Sequence, residues 1–265
     1  MTDVLEIETD GHLRVLRLNR PERKNALTGE LIEGIVAGLR DAANDDDVWA
    51  VALTGNGDAF CSGLDLAGMS SGDGDGDGDG EDEDERERDH FAFVALYVCD
   101  KPILAGVNGV AVGMGVSLAM CADLRLAAPS ARFHPGYARV GASPDGGLTW
   151  TLPEAIGRER AMRFFLESRM VAAAEALELG MVSEVTETDD AFVARFLEYG
   201  RMLAGVAPLA ARQTKRLVDA VGRPPDLQAH LTEEIRLTLQ AFTTDDSKEA
   251  VRAMAAREQP TFTGR

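Results

Sequence analysis

An α/β fold is predicted by three features of this 265-residue chain. Short apolar runs alternate with stretches of helical periodicity, strand patterns stop beyond Asp189, and the length suits an α/β domain with an appendage. Strands separated by helices imply parallel crossover units, because the chain must return to the same end of a sheet before the next strand begins. The expected division is an α/β part over 1–200, carrying an acidic low-complexity loop at 70–89, and a helical C-terminal segment over 201–265.

VLEIE and HLRVLRL read as a hairpin turned at Asp10-Gly11, a favoured tight-turn pair. Thr28 is placed to cap a helix whose apolar face is Leu31, Ile32, Ile35, Val36 and Leu39. The apolar run 48–55 suits a buried strand. Helix, strand, helix and strand follow at 91–98, 103–107, 113–121 and 124–128. Helical stretches are then expected near 190–203, 207–221, 227–242 and 246–257, with a break at Gly222-Arg223-Pro224-Pro225. Their apolar faces exceed what a lone monomer would cover.

The formal charge is −18, and half of it lies in 72–89, where eleven acids face only Arg86 and Arg88. That segment has no apolar side chain to offset its ordering entropy and is expected to be a surface loop. Asp73, Asp75, Asp77 and Asp84 meet the spacing of a calcium-binding loop, as an alternating Asp-Gly repeat does by chance, and no metal site is assigned. Lysines are only Lys24, Lys101, Lys215 and Lys248, and an acidic, lysine-poor surface suits high salt. Clustered cations for phosphate neutralisation are lacking, which argues against nucleic-acid binding. No run is long and apolar enough to span a membrane, and the acidic N-terminus is unlike a signal peptide, so a cytoplasmic protein is expected. Cys61, Cys99 and Cys121 read as reduced, buried thiols.

The chemistry is concentrated in FCSGLDL (60–66) and NGVAVGMG (108–115). Each places small residues where a strand gives way to a turn or helix start, leaving backbone N–H groups aimed at an acceptor. Two such donors make an oxyanion hole for a thioester or ester carbonyl. Asp145, in Ser143-Pro144-Asp145-Gly146-Gly147, reads either as an acid/base or as a cap on the next helix. Ser117, in GVSLA, resembles a nucleophile elbow with its last glycine replaced, and a hydrolase would also need a histidine. His134 is the histidine nearest the motifs and reads as a wall or hydrogen-bonding group. His12, His90 and His230 take no role.

With LNRPERKNAL (18–27), KPILAGVNGVAVGMG (101–115), LAMCADLRLAAPSARF (118–133), VGASPDGGLTWTLP (140–153), EALELGMV (175–182) and EAVRAMAAREQPTFTG (249–264), these segments resemble the crotonase, or enoyl-CoA hydratase/isomerase, superfamily in order and spacing. The resemblance implies a crotonase-like ββα superhelix with a C-terminal helical oligomerisation segment, assembling as a homo-trimer or dimer of trimers. It implies an acyl-CoA substrate, with coenzyme A as part of that substrate and no other cofactor. The oxyanion donors fall on the N–H groups of Leu64 and Met114, with Ser62, Gly63 and Gly113 beside them. Met114 stands where glycine is usual and could narrow the acyl pocket.

The two glutamates of family hydratases correspond to Ser117 and Tyr137, whose hydroxyls are poor substitutes for acids. Asp145 falls where family isomerases, including dienoyl-CoA and epoxyphenylacetyl-CoA types, carry an acid facing the acyl chain. Coenzyme A is expected near Arg23, Lys24, Ala26, Asp65 and Leu66, with Lys101 as a further phosphate partner and Phe262 as an aromatic from a neighbouring subunit. A double-bond isomerase is therefore expected, with hydratase or acyl-CoA hydrolase as alternatives, and a non-catalytic binding or scaffold protein as a third.

Overall fold

The computed structural model describes residues 4–65, 96, 99–140, 143–220, 243–256 and 258–265. The acidic loop, most of the expected helix 91–98, the helix 227–242, the break at 222–225, Leu66, His90 and His230 lie outside the described residues.

The chain begins as expected with an antiparallel hairpin, β1 (Leu5–Asp10) and β2 (Leu13–Leu18), turned at Gly11 with φ +59°. Helix α1 (Gly29–Asn44) starts at Thr28, whose hydroxyl accepts the Leu31 N–H at 3.3 Å. It buries Leu31, Ile32, Ile35 and Leu39, each worth roughly 1.5–3 kcal/mol.

From there the chain steps between two sheets. Strands β3 (Ala50–Gly55), β5 (Ile103–Val107) and β7 (Leu124–Ala127) join a six-stranded sheet of order β1-β2-β3-β5-β7-β10, closed by β10 (Glu184–Val185). Each is followed after a short turn by a three-residue strand of a second sheet: β4 (Ala59–Cys61), β6 (Val110–Val112) and β8 (Arg132–His134), with β9 (Val171–Ala172) at its edge. Apart from the β1–β2 and β8–β9 pairs the strands run parallel. The second sheet was not legible as strands, because three residues are too few to establish a period.

Helices α2 (Met114–Met120), α3 (Leu148–Ile156), α4 (Arg158–Glu167) and α5 (Ala173–Leu179) follow the small strands. The main core joins α1–α5 to both sheets. A second core lies on the other face of the large sheet, where α6 (Phe192–Leu203) lays Phe192 and Phe196 against Leu13, Val15, Ala52 and Leu104. Helices α7 (Pro208–Ala220) and α8 (Asp245–Ala256) complete the described C-terminal part, in which no strand is found among the described residues. No helix of the described residues is long and apolar enough to cross a membrane. The three cysteines are buried and form no disulfide among the described residues, and burial pushes the Cys61 thiol up to about 12, so it stays protonated at neutral pH.

Lys101 corrects a sequence expectation. It is buried, and its ammonium donates to the carbonyls of Ala42 at 2.5 Å and Asp45 at 2.6 Å. These are the unsatisfied carbonyls at the end of α1, so Lys101 is a helix-terminating group and not a phosphate ligand. Lys101→Met is expected to lower unfolding free energy by about 2 kcal/mol, the scale of charged hydrogen bonds left unmade. An unchanged denaturation midpoint would refute this role.

Candidate active site

Two main-chain segments meet where β4 ends and α2 begins. Gly63 has φ +90°, and a Cβ built on it would stand 2.8 Å from the Val112 carbonyl oxygen and 3.7 Å from the Met114 nitrogen. A Cβ on Gly115 would overlap the Cys61 carbonyl. Only glycine allows backbones to approach this closely. Residue 63, directly before Leu64, thus lies beside the start of α2.

The local hydrogen bonds explain why two N–H groups remain there. Leu27 and Leu64 form a parallel bridge in which the Leu27 N–H donates to Gly63 O and the Asp65 N–H to Leu27 O, while Leu64 points its own N–H elsewhere. Met114 is the first residue of α2, one of the positions without an intrahelical acceptor. Among the described residues neither N–H finds an acceptor. The Met114 side chain turns into the main core and is buried, which spares the donor the crowding its size suggested. Such a pair can hold a carbonyl oxygen as it gains charge.

Arg20 is a residue the sequence reading missed. Its guanidinium donates to Ala26 O at 2.6 Å and to Asp65 Oδ2 at 2.9 Å, tying the turn after β2 to the first donor segment. Ser62 strengthens the tie: its N–H donates to Lys24 O at 2.9 Å and its hydroxyl to Arg23 O at 3.3 Å. Asn25 is buried and donates to Asn56 O and Ala59 O. Pairing of Arg20 with an acid 45 residues away leaves no local signal. Arg23 and Lys24 are exposed on this turn, with Lys24 paired to Asp58, so both cations stand beside the donor segment. The N–H groups of Ala26 and Asp65 are already bonded, to Arg23 O and Leu27 O.

Beside the second donor segment Ser117, Tyr137 and Asp145 come together. Ser117, in the middle of α2, is fully buried, and Tyr137, in a short 3₁₀ turn at Tyr137–Val140, is nearly so. The Tyr137 hydroxyl donates to Asp145 Oδ1 at 2.7 Å and lies 3.0 Å from Ser117 Oγ. Its ring borders the second donor segment, since a Cβ on Gly113 would be 3.9 Å from Tyr137 Cζ. Asp145 itself is exposed. The N-cap of α3 is Gly147, two residues further on.

Ser117 has no imidazole partner among the described residues. The His134 ring nitrogen instead lies 3.0 Å from Ser168 O. Ser117 also sits inside a helix and not on a strand-to-helix turn, so neither requirement of a nucleophile elbow is met.

This β-to-β-to-α stepping, with backbone donors where a small-sheet strand meets a short helix, defines the crotonase class of fold. The chain belongs to the enoyl-CoA hydratase/isomerase family, whose model of that description matches residues 8–265. A Rhodobacter capsulatus protein named a probable enoyl-CoA hydratase is 36% identical over 261 residues, 98% of each chain. The 1,2-epoxyphenylacetyl-CoA isomerase of Escherichia coli is 33% identical over 250 residues, 94% of each. Among solved structures, an enoyl-CoA hydratase from Bacillus anthracis superposes with a TM-score of 0.90 at 26% identity, covering 99% of this chain and all of that one.

Burial, and after it the charge of Asp145, pushes the Tyr137 phenol well above its ordinary value. A phenol held neutral in the fold stabilises the protein fully below the unfolded-state pKa, and that contribution is lost as the pH rises above it. The wild type is therefore expected to lose about 1.4 kcal/mol per pH unit above about pH 10 through this group. Tyr137→Phe should flatten the dependence, measured as unfolding free energy against pH. Parallel curves would show that Tyr137 ionises normally.

Proposed function

We propose that this chain is an enoyl-CoA isomerase that shifts a double bond through a thioester enolate. Asp145 removes a proton from one carbon, the N–H groups of Leu64 and Met114 hold the enolate oxygen, and the acid returns the proton to another carbon. Each backbone donor is worth roughly 3 kcal/mol in such sites. The observation that carries the reading is the makeup of the wall beside the donors. Ser117 and Tyr137 are buried and uncharged, and the carboxylate that accepts the Tyr137 hydroxyl is that of Asp145. One carboxylate suffices for isomerisation, whereas adding water needs one group to take its proton and another to supply the α-carbon proton.

The exposed Arg23 and Lys24 support a phosphate-bearing carrier on the side of the first donor segment. Hydration is the second reading, favoured by the hydratase names of several relatives. Asp145→Asn is expected to reduce isomerisation of unsaturated acyl-CoA thioesters by roughly 10²–10⁴ while acyl-CoA binding persists. The assay follows double-bond position and mass across a substrate panel. Rapid formation of 3-hydroxyacyl-CoA by the wild type would replace isomerase with hydratase, and absence of any acyl-CoA affinity would leave a scaffold protein.

Homo-oligomerisation as a trimer or dimer of trimers is supported by apolar side chains left at the surface, among them Trp150 at 55% exposure, Leu166 at 70% and Val218 at 64%. Light scattering is expected to give the mass of three or six chains, and a monomer mass would discard the assembly.

A further inference from the structure

The hydroxyls of Ser117 and Tyr137 form a hydrogen-bonded chain whose protons can be counted. Tyr137 Oη is 2.7 Å from Asp145 Oδ1 and 3.0 Å from Ser117 Oγ. Ser117 Oγ is in turn 3.1 Å from the main-chain oxygen of Asp145 and 3.4 Å from Gly113 O. Four contacts share two hydroxyl hydrogens, so only two can be donated at once. With Asp145 ionised, the charge-assisted bond takes the Tyr137 hydrogen, and Ser117 donates to Tyr137 Oη. With a proton on Oδ1 the direction reverses. Oδ1–H donates to Tyr137, Tyr137 donates to Ser117, and Ser117 donates to the main-chain oxygen of Asp145. Both arrangements use every hydroxyl hydrogen, and no heavy atom has to move between them.

The surroundings give this chain one anchored end and one exposed end. Ser117 is 0% exposed and Tyr137 8%, while Asp145 is exposed and sits before two glycines of positive φ. The N-cap of α3 falls two residues later, on Gly147. A surface carboxylate in such a segment would spread over several rotamers, and positional error of about 1 Å can cost on the order of 10² in rate.

We propose that Tyr137 is a positioning residue for Asp145: anchored by Ser117 inside the core, its hydroxyl holds the exposed carboxyl group in place in both protonation states that an acid/base passes through. Two hydroxyls at the family's glutamate positions then serve one acid instead of replacing two. The inference rests on the reading of Asp145 as the acid/base.

The test is a double-mutant cycle in the full-length protein, assayed on the unsaturated acyl-CoA panel. Tyr137→Phe is expected to lower kcat about 10–100-fold with KM changed less than about threefold, because aim and not substrate contact is lost. The same substitution made in Asp145→Asn is expected to have almost no further effect, as required of a residue that acts through another. Ser117→Ala, which removes the inner anchor and keeps the ring, should give a smaller fall in kcat that also vanishes in the Asp145→Asn background. It carries the test if Tyr137→Phe fails to fold. Additive losses, an unchanged kcat, or a rise in KM alone would each overturn the positioning role. Near-normal turnover by Asp145→Asn alone would instead overturn the acid/base reading, so the two failures are distinct.

Discussion

Close main-chain contact between residues 61–63 and 112–115 is the constraint from which the site follows. Helix α2 begins against the end of β4 at a distance that admits no side chain on Gly115, and Gly63 turns with positive φ against the Val112 carbonyl. The unsatisfied N–H groups of Leu64 and Met114 are a consequence. One belongs to a bridge residue whose neighbours make the ladder bonds, the other to the first turn of a helix. The donors therefore need no particular side chain at either position, and that of Met114 lies in the core.

That contact is held from outside by two asparagines, Asn25 buried and Asn108 half-buried, that bond to the turns between the sheets. Asn108 donates to Gly57 O and Ala59 O and accepts the Gly55 N–H, while Asn25 bonds to Asn56 O and Ala59 O. Both asparagines thus bond to the turn between β3 and β4 and share the Ala59 carbonyl. A buried amide satisfied in this way fixes a loop more narrowly than apolar packing does, because each missing bond would leave a polar group unpaired. Arg20 extends the grip to the turn that carries Arg23 and Lys24. The exposed cations and the first donor segment are consequently tied together by hydrogen bonds.

Opposite the donors, chemistry is selected by burial and charge. Ser117 and Tyr137 lie in the core, where a second and third carboxylate would be costly, and their hydroxyls turn toward the acid at the rim. Sequence could name all three residues but not relate them. Asp145 before two glycines fits a helix cap as well as an acid/base, and nothing local records that its carboxylate accepts from a phenol eight positions earlier in the chain. Lys101 shows the same limit. A lysine within a site-bearing segment suggested a phosphate ligand, yet its ammonium is consumed by the end of α1, a partner 56–59 residues away.

By itself the sequence determined the β1–β2 hairpin, the Thr28-capped helix, the strands β3, β5 and β7 and the two small-residue segments, because each is written in neighbouring residues as periodicity, capping or glycine placement. Tertiary structure decided the second sheet, whose three-residue strands carry no period, and the partners of Arg20, Lys101 and Tyr137. Those partners are set by long-range burial, where a polar group must take whichever acceptor the fold brings to it, and no local pattern in the chain records that outcome.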